Sequence, residues 1–200
     1  MSSTQIPLST HDQLREAARD AWIYALPLIE IAMTRANRGG FGGEINTLGH
    51  TRDLANHKMR AVTTPNNDTL YTSAQIDLSA GPVTITVPAA GERYLSLALM
   101  DAYTNNFAIL GTRTTGPDGG TFSLVGPSDA AEGANVVRAP TNHVWALARI
   151  LVDGPPDLEA ARAIQSGFSL QGPAVPQAKS HARRSAPWNE YFASVDELMV

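Results

Sequence analysis

"TLYTSAQIDLSAGPVTITVP", residues Thr69 to Pro88, carries two runs of alternation separated by a turn. Successive side chains of a strand point to opposite faces, so Leu70, Thr72, Ala74 and Ile76 share one face and Tyr71, Ser73, Gln75 and Asp77 the other. Gly81-Pro82 interrupts the run, and Val83, Ile85 and Val87 resume the period of two before Pro88. The same alternation returns in "ERYLSLALMD" as Leu95, Leu97 and Leu99. Further strand-like runs are "NNFAILGT", "GTFSLVGP", "ANVVRAP" and "NHVWALARILV", most of them bounded by Gly or Pro. Short strands in succession with no helix between them predict antiparallel pairing in a sandwich or barrel-like body. "GPDGG", Gly116 to Gly120, predicts a hairpin tip.

Helices are expected on both sides of this body. "STHDQLREAARDAWIYALPLIEIAMTRANRGG" reads as a long opening helix, capped by Ser9 or Thr10 with Asp12 or Gln13 completing a capping box, and stopped by Gly39 and Gly40. Leu14, Ala17, Ala18, Ala21, Ala25, Leu28, Ile29 and Ala32 define its buried face, and Pro27 is expected to kink it. Phe41 to Met59 shows neither period and reads as a long loop. In "PPDLEAARAIQSGF", Asp157 is the expected cap and Leu158, Ala161, Ile164 and Phe168 lie close to one face. A linker, "LQGPAVPQAKSHARRSAPW", leads to a last amphipathic helix in "APWNEYFASVDELMV". The expected fold is therefore α+β: a long N-terminal helix packed on an antiparallel β-sandwich or barrel-like body, with C-terminal helices. One domain is expected over residues 1–200, helical at 9–38, mainly β at 60–152 and helical at 155–200.

The composition removes several function classes. Two hundred residues with 43% hydrophobic content suit one core, and a net charge of −4 with scattered Lys and Arg predicts no nucleic-acid partner. With zero cysteines there is no disulfide framework, thiolate catalysis or iron–sulfur ligation. The five histidines show no HxH or HExxH spacing, so no metal is expected. No GxSxG elbow, Walker loop or strand-to-helix GxGxxG is present, and the expectation is a protein without cofactor. "RGGFGGE" follows a helix and reads as a flexible connector. The apolar stretch Ala21 to Met33 falls short of the ~20 residues a membrane span needs. The opening residues carry neither a basic nor an apolar block, which predicts a cytoplasmic protein with no membrane partner.

Two clusters share one grammar, a carboxylate, a phenol and an Asn-Asn pair beside a strand end. The first holds Arg60, Asn66, Asn67, Asp68 and Tyr71; the second, in "MDAYTNNF", holds Asp101, Tyr103, Thr104, Asn105 and Asn106. Asx residues commonly build turns by bonding nearby backbone N–H groups, and that is the structural reading of each cluster. The functional reading places the two strand ends side by side around one polar mouth. Asp68 and Asp101 then form an acid and base pair, Tyr71 or Tyr103 donates to a developing oxyanion, and Asn66, Asn67, Asn105, Asn106 and Arg60 orient the substrate. His50 is the one candidate proton carrier among the histidines, Tyr24 a pocket-lining ring, and Arg149 a partner for a carboxylate or an anionic substrate. The expected function is a small-molecule enzyme of hydrolase, lyase, isomerase or cyclase type. The alternatives are a non-catalytic small-ligand-binding module and an interaction domain, homo-oligomeric through the C-terminal helix.

"AWIYALPLIE", "TTPNNDTLYTSAQIDLSAGPVTITVP", "RYLSLALMDAYTNNFAILGTRTTG" and "VWALARILVDGPPDLEAARAIQ" together resemble the domain-of-unknown-function 1254 family, over about Ala21 to Gln165. The resemblance implies a helical N-terminal section followed by a β-sandwich-like body, and no agreed reaction. Its motifs fall on Asn66, Asn67, Asp68, Tyr71, Asp101, Tyr103, Asn105 and Asn106. Members usually continue into a companion domain-of-unknown-function 1214 region and many begin with an export signal. Neither is read here, so the expectation is a short form that works alone or completes its site by oligomerisation.

Overall fold

A computed structural model describes residues 10–36, 44–59 and 63–199. Helix α1 spans His11–Ala36, α2 Leu158–Gln165 and α3 Trp188–Leu198. The strands are β1 Gly49–His50, β2 Thr69–Asp77, β3 Val83–Val87, β4 Leu95–Met100, β5 Asn106–Gly111, β6 Gly120–Val125, β7 Val136–Arg138, β8 His143–Leu151 and β9 Ser169–Gln171. A five-stranded sheet runs β1-β2-β8-β4-β5 and a four-stranded sheet β7-β6-β3-β9. The fold is α+β, and the two sheets face each other as a sandwich.

Alternation decides which residues fill the space between the sheets. Leu70, Ala74 and Ile76 of β2, Val83, Ile85 and Val87 of β3, and Leu95, Leu97 and Leu99 of β4 are buried there with Val144, Ala146, Ala148 and Ile150 of β8. The opposite face of the larger sheet is buried as well: Tyr71, Ala98, Met100 and Leu147 form a second cluster with Trp145 against it. Every residue of β2 except Asp77 is therefore enclosed.

Every pairing is antiparallel except β6 with β7, which is parallel. The chain reverses twice between Val125 and Val136, and Arg138 holds that excursion by donating to the carbonyls of Gly126, Asp129 and Ala131.

"GPDGG" does not close a hairpin, because β5 and β6 on either side of it belong to different sheets. It carries the chain across, with the Pro117 carbonyl accepting the N–H groups of Ala90 and Gly91. Gly119 sits at φ +70, and a Cβ there would lie 2.3 Å from the Val87 carbonyl oxygen. Only glycine suits that crossing.

The expected long loop contains β1, which pairs with β2, and the expected linker contains β9, which pairs with β3. Neither β1 nor β9 is long enough for alternation to reveal. Thr10 caps α1, its hydroxyl oxygen accepting the N–H of Gln13, and the helix runs on through Pro27. The expected stop at Gly39 and Gly40 lies outside the described residues. Burial on α1 begins only at Ala25, with Leu14, Ala17 and Ala21 exposed. From there Ala25 and Ile29 pack with Tyr191 and Val195, so α1 and α3 bury each other's apolar stripes.

Asp157 makes no side-chain cap for α2. Its carboxylate accepts instead from both terminal nitrogens of Arg93, which also donates to the Leu151 carbonyl. A fixed bidentate guanidinium outcompetes a lone helix N–H for that carboxylate.

Candidate functional site

The two Asx clusters do not meet. β2 and β4 both flank β8 in antiparallel pairing, so they run in the same direction. The start of one and the end of the other must then lie at opposite ends of the sheet. The Asp68 carbonyl accepts the Val152 N–H, whereas Met100, just before Asp101, pairs with Trp145. Seven residues along β8, at ~3.3 Å each, put roughly 23 Å between the clusters. The expectation of one mouth assumed that the two strands were direct antiparallel neighbours; the intervening β8 overturns it.

At the far end, Asp101 is buried and its carboxylate is occupied. Oδ1 accepts the backbone N–H of Tyr103 at 2.8 Å and of Asn105 at 2.9 Å, and Oδ2 accepts the Asn105 amide at 3.2 Å. Thr104, between them, is held at φ +65. Asn106 is exposed and opens β5. Tyr103 leans on Tyr24 of α1, ring centroids 5.4 Å apart. Burial, a hydrogen bond with Tyr24 and the nearby Asp101 charge push its hydroxyl up to about 12. Asp101 is thus the keystone of a turn, and Tyr103 is a phenol that stays protonated.

At the near end, five of the expected residues converge. Asn66, Asn67 and Asp68 are exposed on the turn into β2, and the Tyr71 hydroxyl oxygen accepts the Asn66 N–H at 3.0 Å. Tyr71 sits across from Arg149, whose guanidinium carbon lies 5.7 Å from the centre of its ring. Ser96 of β4 is the next residue in the same row, on the other side of Arg149. Thr69, two residues before Tyr71 and hence on the same face, has a buried hydroxyl with no hydrogen-bond partner among the described residues. Gln165 of α2 supports the row from the side, donating its amide to the carbonyls of Thr51 and Tyr71.

His50 does not join this group. Its Nδ1 lies 2.9 Å from the Thr72 hydroxyl, on the side of β2 that faces the smaller sheet, and burial together with the Arg52 charge lowers its pKa. Arg60 lies outside the described residues.

One polar assembly escaped the sequence reading. Arg35 of α1 donates to the Ile76 carbonyl and pairs with Asp77 at 3.1 Å, while His143 Nε2 lies 3.5 Å from the same Asp77 oxygen. Burial acts to raise the Asp77 carboxyl, but hydrogen bonds from His143 and Ser79 outweigh it and hold the group far below the usual carboxylate range. A permanently ionised Asp77 welds α1 to the end of β2. Asp77 ends the polar face of its alternating run, but nothing in the sequence places Arg35 or His143 against it.

Among the described residues, no group of three or more His, Asp or Glu is placed to hold a metal ion. No described helix is long and apolar enough to cross a membrane. Two clefts open elsewhere, one of about 370 Å³ lined by Trp22, Arg184, Trp188 and Tyr191, the other of about 350 Å³ between Glu44–Thr47 and Gly172–Val175. Neither is lined by Asp68, Tyr71 or Arg149.

The sequence pattern described as "Protein of unknown function (DUF1254)" matches residues 45–172. The chain belongs to the DUF1254 family. The match takes in both Asx clusters and Arg149, while Tyr24 precedes it. No curated protein matches this DUF1254 chain. Among solved structures it is similar to the VPA0106 protein from Vibrio parahaemolyticus, at 25% identity and a TM-score of 0.68, covering 88% of this chain and 45% of that one. It is also similar to an uncharacterized protein from Burkholderia cenocepacia, at 15% identity and a TM-score of 0.43, over 98% of this chain and 51% of that one. The DUF1254 chain spans about half the length of these solved relatives.

Proposed function

We propose that this chain is a small-molecule enzyme working by cofactor-free acid and base chemistry at the entrance to β2. Asp68 is the base and Tyr71 the electrophilic donor. The observation that carries this reading is the convergence of Asn66, Asn67, Asp68, Tyr71 and Arg149 at one strand end, beside the orphaned Thr69 hydroxyl. A buried hydroxyl without a partner costs ~1–3 kcal/mol, and a bound ligand that pairs with it removes that cost. The net charge of −4 supports a small molecule over a nucleic acid as the partner.

No hydrogen bond or ion pair joins the Asp68 carboxylate to another described residue, so it is available to take a proton. The Asn66 N–H fixes the Tyr71 oxygen and draws electron density from it, which makes the phenol a better donor to an oxygen gathering negative charge. The Asn66 and Asn67 side chains orient the substrate at the rim. Hydrolysis, elimination, isomerisation and cyclisation all need only these proton transfers.

The test is turnover of a mixture of small esters, lactones, epoxides and enolisable ketones, followed by NMR for the parent chain, Asp68→Asn and Tyr71→Phe. Consumption of a component by the parent, slowed ~100-fold or more in either variant, is expected. Equal turnover in all three removes the proposal. A non-catalytic ligand-binding role is favoured by one observation, that only one of the two expected aspartates stands at this mouth. Resonance shifts with no compound consumed would decide for it.

A further inference from the structure

Arginines that leave water are normally matched by a carboxylate, because an enclosed cation without a counter-charge is costly. Three of the enclosed or half-enclosed arginines here obey that rule. Arg35 pairs with Asp77, Arg93 with Asp157, and Arg162 with Asp53 and Glu159. Arg149 is also half-enclosed, and among the described residues no Asp or Glu pairs with it. Its guanidinium lies against the face of the Tyr71 ring.

The neighbours of Arg149 offer hydroxyl groups but no second charge. Ser96 flanks it in the strand register and Thr69 lies diagonally across from it on β2, its hydroxyl buried and unpartnered among the described residues. One guanidinium fork with two hydroxyls matches a single planar anion, which takes two parallel N–H···O bonds and leaves lone pairs for O–H donors. A phosphate dianion would require a further cation, and the excess negative charge of the chain disfavours polyanions.

We infer that Arg149, with Thr69 and Ser96, is a recognition site for a carboxylate group, so that the substrate handled at the β2 entrance is a small carboxylic acid. The inference rests on the proposed function of that entrance and names its substrate class. Arg149 acts here in binding; the proton transfers belong to Asp68 and Tyr71.

The experiment titrates the full chain with benzoate, with the neutral isostere benzamide and with inorganic phosphate. The readouts are the Arg149 side-chain N–H resonance and the Thr69 backbone amide. Benzoate should give a saturable shift at both positions, at least about tenfold tighter than benzamide, and Arg149→Gln should abolish that preference. Arg149→Lys, which keeps the charge but not the fork, should retain part of it. If Arg149→Gln does not fold, Thr69→Val, which removes one donor and conserves volume, should weaken benzoate selectively. Equal shifts by benzoate and benzamide would overturn carboxylate recognition while leaving a small-molecule site at this entrance. Phosphate binding as tightly as benzoate would overturn the assignment of a single planar anion. No saturable shift from any of the three would overturn both the inference and the reading it rests on.

Discussion

Asp101 and Asp68 have the same sequence neighbourhood and opposite fates. Asp101 is turned inward to accept three hydrogen bonds from its own turn, whereas Asp68 faces solvent. Removing the first should therefore cost folding free energy. Asp101→Ala is expected to lose ~1–3 kcal/mol in urea denaturation, with an unchanged slope, because two backbone N–H groups lose their acceptor. A variant as stable as the parent would mean that the turn holds without the carboxylate. Asp157 gives a pH signature. Its hydrogen bond from Arg93, reinforced by the Asp153 N–H, brings its carboxyl down to about 2, below the ~4 of an unfolded chain. A depressed carboxyl stabilises the fold above the unfolded value, and the contribution is lost as pH falls through the folded one. Asp157→Asn should melt below the parent at pH 7, and the difference should shrink between about pH 4 and pH 2 in thermal scans.

Helices α1 and α3 hold each other through Tyr191, which is buried against Ala25 and Ile29 and donates its hydroxyl to the Trp22 carbonyl at 3.0 Å. The hydrogen bond and the ring can be separated. Tyr191→Phe should cost ~0.5–1.5 kcal/mol and Tyr191→Ala ~3–5 kcal/mol in equilibrium denaturation. Similar, small losses in both would mean that the two helices dock by other contacts. The amphipathic stripe of α3 was legible in the sequence, since Tyr191 and Val195 recur at helical spacing. Its partner was not, because a stripe says that something covers it and not what. The strands divide in the same way. The alternation of β2, β3, β4 and β8 assigned residues to faces, and Tyr71 and Arg149 were each nominated as site residues. That they are direct neighbours depends on register, which the sequence of either strand leaves open.

At the scale of the molecule, one topological fact separates the expected site from the candidate one. β8 lies between β2 and β4, so two similar motifs were carried to opposite ends of one sheet. Alternation and helical spacing indicate a sandwich flanked by helices, and the fold has that form. The order of strands could not be read from alternation, because each strand is equally compatible with several neighbours. The Asp77–Arg35 weld was missed for a related reason, as it joins residues 42 positions apart and neither carries a motif.

The central position of β8 also sets an order of events during synthesis. β2 and β4 leave the ribosome with their apolar faces complete, but the strand that pairs with both begins only at His143, and β9, which completes the smaller sheet, begins at Ser169. Until then two long, apolar strand edges have no native partner, and such edges invite pairing with other chains. Those edges stay open until β8 has emerged, and closure of the larger sheet comes late and all at once, when a single nine-residue strand slots between two that have been waiting for it.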